Sequence, residues 1–213
     1  MSFANAYFNK HNYCSPQLTI PPSPHLHYCI VIPCYNEENI IPCLESIDNC
    51  CLPGSDTEVI IVLNASEQAH RQVIKQNEAT ALSIHQWNIA RQKKKITYHI
   101  IIQNNLPEKH AGVGLARKIG MDEALFRFNS IGNKYGLIVS MDADALCANN
   151  YLTELEKLFT HPKAPDGCTV YFEHTIDRNN VDADAIARYE LHLRYVLTCP
   201  PLFLSKIKRL IIN

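Results

Sequence analysis

Two carboxylates one residue apart close an apolar run in the stretch Gly136-Leu-Ile-Val-Ser-Met-Asp-Ala-Asp144. Asp is a poor strand former and is rarely buried unpaired. If the backbone stays extended here, Asp142 and Asp144 point the same way, because strand side chains repeat every two residues. Two like charges so close call for a positive neighbour. An oxygen-only pair suits Mg²⁺ or Mn²⁺, which completes its shell with water and substrate phosphates. A divalent cation carrying a diphosphate is therefore one natural occupant. The other reading is a turn in which an Asp bonds the backbone that follows it.

The elements that must hold this pair follow from apolar runs and their punctuation. Short buried-type strands are expected at 28–34, 58–63, 96–102, 136–141 and 169–172. Between them fall helical patterns: Ile40, Ile41, Leu44 and Ile47 with Asn36 as a cap; a long polar helix between 66 and 92; and a helix over about 115–128. Two more follow, one carrying Leu152, Leu155, Leu158 and Phe159 with Asn149 or Asn150 as its cap, and one over 182–196. Residues 1–27, with Pro21-Pro-Ser-Pro24, are expected to be an irregular extension. Alternating β and α with uniformly apolar strands predicts an α/β fold, a Rossmann-like, mostly parallel sheet with helices on both faces. Ligands of such sheets bind beyond the carboxyl ends of the strands. Tyr35-Asn36-Glu37, Asn64, the segment from Gln103 to Lys109, Asp142 with Asp144, and Glu173-His174 end the five strands, so all five groups are expected on one rim.

Composition narrows the function classes. The 213 residues suffice for one good core, and 46 % are apolar. A formal net charge of -1 gives no global field for nucleic acid. The basic run Arg91-Gln-Lys-Lys-Lys95 reads as a solvated helix end. Nine scattered cysteines with no CxxC spacing argue against structural zinc. Cys29, Cys34, Cys147 and Cys168 read as small core residues of a reducing compartment. No apolar leader is visible and no stretch approaches the ~20 apolar residues that cross a bilayer, so a cytoplasmic protein is expected.

Four segments in order resemble the signatures of glycosyltransferase family 2. They are Val31-Ile-Pro-Cys-Tyr-Asn-Glu-Glu-Asn39, Glu58-Val-Ile-Ile-Val-Leu-Asn64, Lys109-His-Ala-Gly-Val-Gly-Leu-Ala-Arg-Lys-Ile-Gly120 and Ser140-Met-Asp-Ala-Asp144. The resemblance covers about 28–175 and implies the GT-A fold, with a nucleotide-sugar-binding domain over 28–196 and a divergent tail over 197–213. It implies that Pro33, Tyr35 and Glu37 cradle the base and ribose of a nucleotide-sugar donor, with Tyr35 offering a stacking face. It places Lys109 and Arg117 near a diphosphate, leaves room at Gly112 and Gly114 for close backbone approach, and makes Asp142 and Asp144 the ligands of Mg²⁺ or Mn²⁺, Asp142 also facing the donor. Asn64 stands where most members carry an acidic residue. The glycine spacing is not GxGxxG, so a dinucleotide site is not implied.

The implied activity is metal-assisted transfer of a sugar from a nucleotide-diphosphate sugar to an acceptor hydroxyl on an unknown glycan or lipid-linked molecule. The acceptor's proton needs a base, which in this family belongs to a downstream Glu-Asp pair. This chain has no Glu-Asp dipeptide, and Glu173 is the nearest rim carboxylate. One expectation is thus a truncated, donor-binding remnant that binds a nucleoside diphosphate with metal and transfers sugar slowly or not at all. A third reading, a metal-dependent nucleotidyltransferase, would want a basic glycine loop after the first strand, where this chain has Cys34-Tyr-Asn-Glu-Glu38. The tail, with Leu202, Leu204, Ile207, Leu210 and Ile211 beside Lys206, Lys208 and Arg209, is expected as a short packed or frayed helix, or as a membrane-surface segment.

Overall fold

The computed structural model describes residues 2–92, 95–173, 183–198 and 207–210. Its chain divides into two compact units, 1–149 and 150–213. The first holds α1 (Asn5–His11), β1 (Leu26–Cys34), α2 (Ile41–Asp48), β2 (Asp56–Ser66), α3 (Arg71–Ala90), β3 (Ile96–Leu106), α4 (Val113–Ser130) and β4 (Leu137–Ser140). The second holds α5 (Tyr151–Phe159), β5 (Gly167–Val170), α6 (Ala183–Thr198) and β6 (Ile207–Leu210).

The first unit is built on a four-stranded, wholly parallel sheet in the order β3-β2-β1-β4. Both faces are apolar, as crossover helices require. On one face Cys29, Val31, Ile60, Val62 and Ile101 form a core with Ala116, Ile119, Ala124 and Phe128 of α4. A Cβ added to Gly120 would come within 2.4 Å of the Val31 side chain, so glycine is what lets α4 lie this close to the sheet. On the other face Tyr98 donates to the carbonyl of Leu44 at 3.3 Å and meets the Trp87 ring edge-on, joining β3 to α2 and α3.

Proline is rare in a central strand because it cannot donate to a ladder. Here β1 is paired with β4 only from Tyr28 to Val31, and Met141 N–H closes that ladder on the Val31 carbonyl at 3.0 Å. Pro33 lies two residues further on, where it has no N–H to continue this ladder, and the β1–β4 pairing stops there.

Several expectations change. The first 27 residues are not irregular throughout. Helix α1 stacks Phe8 on Phe126 of α4 with ring centroids 4.1 Å apart. Tyr7 donates to Asp122 at 2.8 Å, and the Gln17 N–H donates to Glu123 at 2.6 Å. Arg91 is not a solvated residue: its side chain is 7 % exposed, pairs with Asp48 at 2.6 Å and lies over the Tyr98 ring. Lys93 and Lys94 lie outside the described residues. Asn36 does not cap α2, which begins after Ile40, and Asn150 precedes α5 without a side-chain cap bond. β5 does not extend the first sheet but pairs in parallel with β6, so the common rim holds the ends of four strands rather than five. β6 also replaces part of the helix expected in the tail, the rest of which lies outside the described residues. Among the described residues no helix is long and apolar enough to cross a membrane.

Glu58 on β2 is buried against Arg127 of α4, which bonds it through Nε and Nη2, and His99 Nε2 approaches the same carboxylate at 3.5 Å. Arg127 Nη1 also donates to the Ile20 carbonyl at 2.9 Å. Burial raises the Glu58 carboxyl, but the bonds from His99 and Arg127 outweigh it and hold the group below its ordinary value.

Candidate functional site

Four parallel strands bring Cys34, Asn64, Leu106 and Ser140 to the same end of the sheet. Beyond them the rim has two halves. One is made by the turn after β4 and the start of α4. The turn is not extended: Ala145 N–H donates to the Asp142 carbonyl at 3.2 Å. Met141 and Ala143 are nonetheless buried while Asp142 and Asp144 are exposed, so both carboxylates face solvent. One positive group beside the pair comes from the chain itself. Arg117, in the second turn of α4, donates from Nη2 to Asp142 Oδ1, with side chains 35 % and 60 % exposed. Arg117 uses one nitrogen in this bond; its Nε is buried and has no partner among the described residues. The Asp144 carboxylate makes no hydrogen bond or ion pair among the described residues.

Gly112, just before α4, has φ 156° and ψ -179°, a conformation only glycine adopts without strain. No atom lies within 4 Å of the Cβ position at Gly112 or Gly114, so the backbone before Arg117 is open. Lys109, in the same loop, is exposed.

The other half surrounds the loop after β1. Tyr35 is 56 % exposed, so its ring is open to solvent beyond the end of β1. Asn36 is left-handed at φ 50°, a conformation Asn tolerates better than most residues. Glu37 Oε1 accepts from the Asn39 N–H at 2.9 Å, so its carboxylate shapes its own loop. Asn64 is 1 % exposed, and its Oδ1 is buried without a hydrogen-bond partner among the described residues.

The residue that ties this half together is one the sequence did not single out. Asn77, 1 % exposed in the middle of α3, accepts from Asn36 N–H at 3.1 Å. It donates to the Asn64 carbonyl at 3.1 Å and to Asn104 Oδ1 at 2.9 Å. One amide thus joins the ends of β1, β2 and β3. One turn on, Thr80 donates to the Glu37 carbonyl at 2.6 Å. Asn and Thr three residues apart, both poor helix formers, were the available signal. Asn77→Ala is expected to cost about 1–3 kcal/mol of stability and also, on the expectation from the family resemblance that Tyr35 meets a nucleotide, to weaken nucleotide affinity, because the Tyr35 loop loses its anchor. Titration and melting together check this: a lowered melting temperature with unchanged affinity would make Asn77 purely structural.

Burial pushes the thiols of Cys34 and Cys43 up to about 12, so neither is a nucleophile at neutral pH. The donor set does not amount to a self-contained metal centre: no group of three or more His, Cys, Asp or Glu among the described residues could hold an ion. Two exposed carboxylates, one of them without a partner among the described residues, fit a hard cation that takes its other ligands from water and phosphate. Glu173, three residues beyond β5 in the second unit, is exposed and accepts from the Tyr171 hydroxyl at 3.1 Å; His174 lies outside the described residues.

The carboxyl rim of this parallel sheet gathers an exposed tyrosine, a buried amide oxygen, an open glycine turn and an Asp pair met by Arg117, which is the arrangement of an α/β protein with its site at the strand ends. The profile of the family described as glycosyl transferase family 2 matches residues 29–195, and the chain belongs to that family. Among solved structures it is similar to S. aureus TarS 1-349 in complex with UDP-GlcNAc, with TM-score 0.51 and 15 % identity over 73 % of this chain and 37 % of that one. TarS 1-349 in complex with UDP gives TM-score 0.47 and 14 % identity over 73 % of this chain and 38 % of that one. The first likeness carries the fold, GT-A. This chain spans under two fifths of the length of those solved chains. No curated protein matches it.

Proposed function

We infer that this chain binds the nucleoside diphosphate part of a nucleotide sugar across the carboxyl rim of its first sheet, and that the reaction it serves is glycosyl transfer from that donor. The observation that carries this reading is the Arg117–Asp142 contact beside Asp144, which makes no hydrogen bond or ion pair among the described residues. A guanidinium offers five N–H donors, and Arg117 uses one on Asp142, so most remain for phosphate oxygens. The UDP-GlcNAc held by a structure of the same fold supports a uridine nucleotide as the first donor to test.

The roles follow from the chemistry. Tyr35 stacks on the base. Asn64 Oδ1 accepts an N–H from the base edge, which relieves a buried acceptor that has no partner among the described residues. Arg117 and Lys109 neutralise charge that grows on the diphosphate as the bond to the sugar breaks. Asp142 and Asp144 would hold Mg²⁺ or Mn²⁺, which supplies further charge neutralisation at the same oxygens. The acceptor is a hydroxyl.

The test is isothermal titration of UDP, GDP, CDP and ADP, each with Mn²⁺ and with chelator. Binding of at least one diphosphate, tightened by Mn²⁺ and weaker for its monophosphate, is expected. Absence of binding by every diphosphate would overturn the reading. Tyr35→Ala should weaken the best binder by about 1–3 kcal/mol, the usual range for base–aromatic stacking, with the melting temperature unchanged. A fall in melting temperature without loss of affinity would assign Tyr35 to packing instead.

A further inference from the structure

The C-terminal end of α2 and the loop that leaves the Asp pair are stitched together by a set of bonds that the donor site does not use. Cys51 N–H donates to the Asn149 carbonyl at 2.7 Å and to Asn149 Oδ1 at 2.9 Å. Cys147 N–H donates to Ser46 Oγ at 3.1 Å. This seam brings Cys50 Sγ to 3.5 Å from Cys147 Sγ, across 97 residues of chain. Ser46 Oγ lies 3.4 Å from the same Cys147 sulfur.

We propose that Cys147 and Cys50 form an oxidant-reactive pair, in which Cys147 is attacked first by a hydroperoxide and Cys50 resolves it to a disulfide. The two sulfurs differ as such a pair must. Cys147 is half-buried, so a small oxidant reaches it, whereas Cys50 is 6 % exposed. Cys50 Sγ lies 3.4 Å from the Ser46 carbonyl, 3.5 Å from the Ala148 carbonyl and 3.5 Å from Cys147 Sγ, so its single S–H can turn to Cys147. The hydrogen bond from Cys50 lowers the Cys147 thiol to about 7, against the opposing effect of burial, so thiolate is available at neutral pH. The neighbouring thiols are placed differently. Cys43 is raised to about 12 and its Sγ is turned to the Asp142 carbonyl at 3.7 Å. Cys51 is exposed and donates to Asn149 Oδ1 at 3.0 Å.

The chemistry balances in two steps. The Cys147 thiolate attacks the peroxide, an S–O bond forms as O–O breaks, and the departing oxygen takes a proton to leave as water or an alcohol. Cys147 is then a sulfenic acid. The Cys50 sulfur attacks Cys147 Sγ, S–S forms as S–O breaks, and hydroxide leaves as water with the Cys50 proton. Closing the bond requires the sulfurs to approach by about 1.5 Å, which two side-chain rotations on an already joined seam can supply. The product ties the loop that follows Asp144 to α2.

The test treats the full chain with hydrogen peroxide at one equivalent, quenches it, and maps peptides by mass spectrometry without reduction. The expected result is loss of the mass of two hydrogens and a linked peptide pair joining Cys50 to Cys147. Cys50→Ser should stop at sulfenic or sulfinic acid on Cys147, and Cys147→Ser should leave Cys50 unmodified. A disulfide joining any other cysteines, or Cys147 over-oxidised in the unaltered protein without a link to Cys50, would overturn the proposal. Circular dichroism of both serine variants checks that they fold.

Discussion

Arg127→Met is expected to destabilise the first unit by about 3–5 kcal/mol, the usual result of removing one partner from a buried ion pair. At about 2–4 °C per kcal/mol for a chain of this size, that is a fall of roughly 6–20 °C in melting temperature. The loss exceeds the worth of the contact because Glu58 stays buried without its cation, and the Ile20 carbonyl loses its donor as well. The pH dependence has a defined sign. In the unaltered protein the Glu58 carboxyl is held below its ordinary 4.5, so its contribution to stability is present above that value and is lost as pH falls through the lower folded value. Without Arg127, burial dominates and the folded value rises, so stability is lost as pH rises through it. The gap between the two proteins should therefore be widest near neutrality and narrow toward pH 4. Adding Glu58→Gln should recover part of the loss. A gap that widens in acid would contradict this account of the cluster.

Asp142→Asn combined with Asp144→Asn is expected to reduce nucleoside diphosphate affinity in Mn²⁺ to the value measured in chelator, removing the whole metal-dependent increment. The melting temperature should hold, because both side chains are exposed and neither supports the core. Arg117 loses its ion-pair partner in this variant, so chelator-insensitive binding through the guanidinium should survive. Titration of the double variant with and without Mn²⁺ reads both effects. Metal-dependent affinity equal to that of the unaltered protein would remove these residues from the site.

The strands were legible because parallel strands buried on both faces carry continuous apolar runs, and the rim followed from strand direction alone. The turn at Asp142 was not legible, because a single backbone bond from Ala145 decides between turn and strand. That Arg117, 25 residues earlier, pairs with Asp142 could not be read either, because the contact depends on how α4 sits against the turn after β4. Asn77 escaped notice because a mid-helix amide in a polar helix reads as solvated; only the meeting of three strand ends shows that it is buried. The place of β5 could not be read either: a four-residue strand carries no mark of which sheet it joins. Helix α1 is seven residues long with none of its residues fully buried, too short and too polar for periodicity to reveal, and it is defined by its docking on α4.

We propose that a diphosphate meets this protein at the remaining N–H groups of Arg117, with a metal ion joining it to the Asp pair. Anomalous diffraction at the manganese edge, from crystals grown with UDP and Mn²⁺, tests it most directly. The account predicts a peak at about 2.1 Å from a carboxylate oxygen of Asp142 or Asp144, the usual hard-cation distance, with diphosphate oxygens on its other side and within hydrogen-bond reach of Arg117. A nucleotide bound elsewhere, or bound at the rim with no anomalous peak beside the two aspartates, would contradict it.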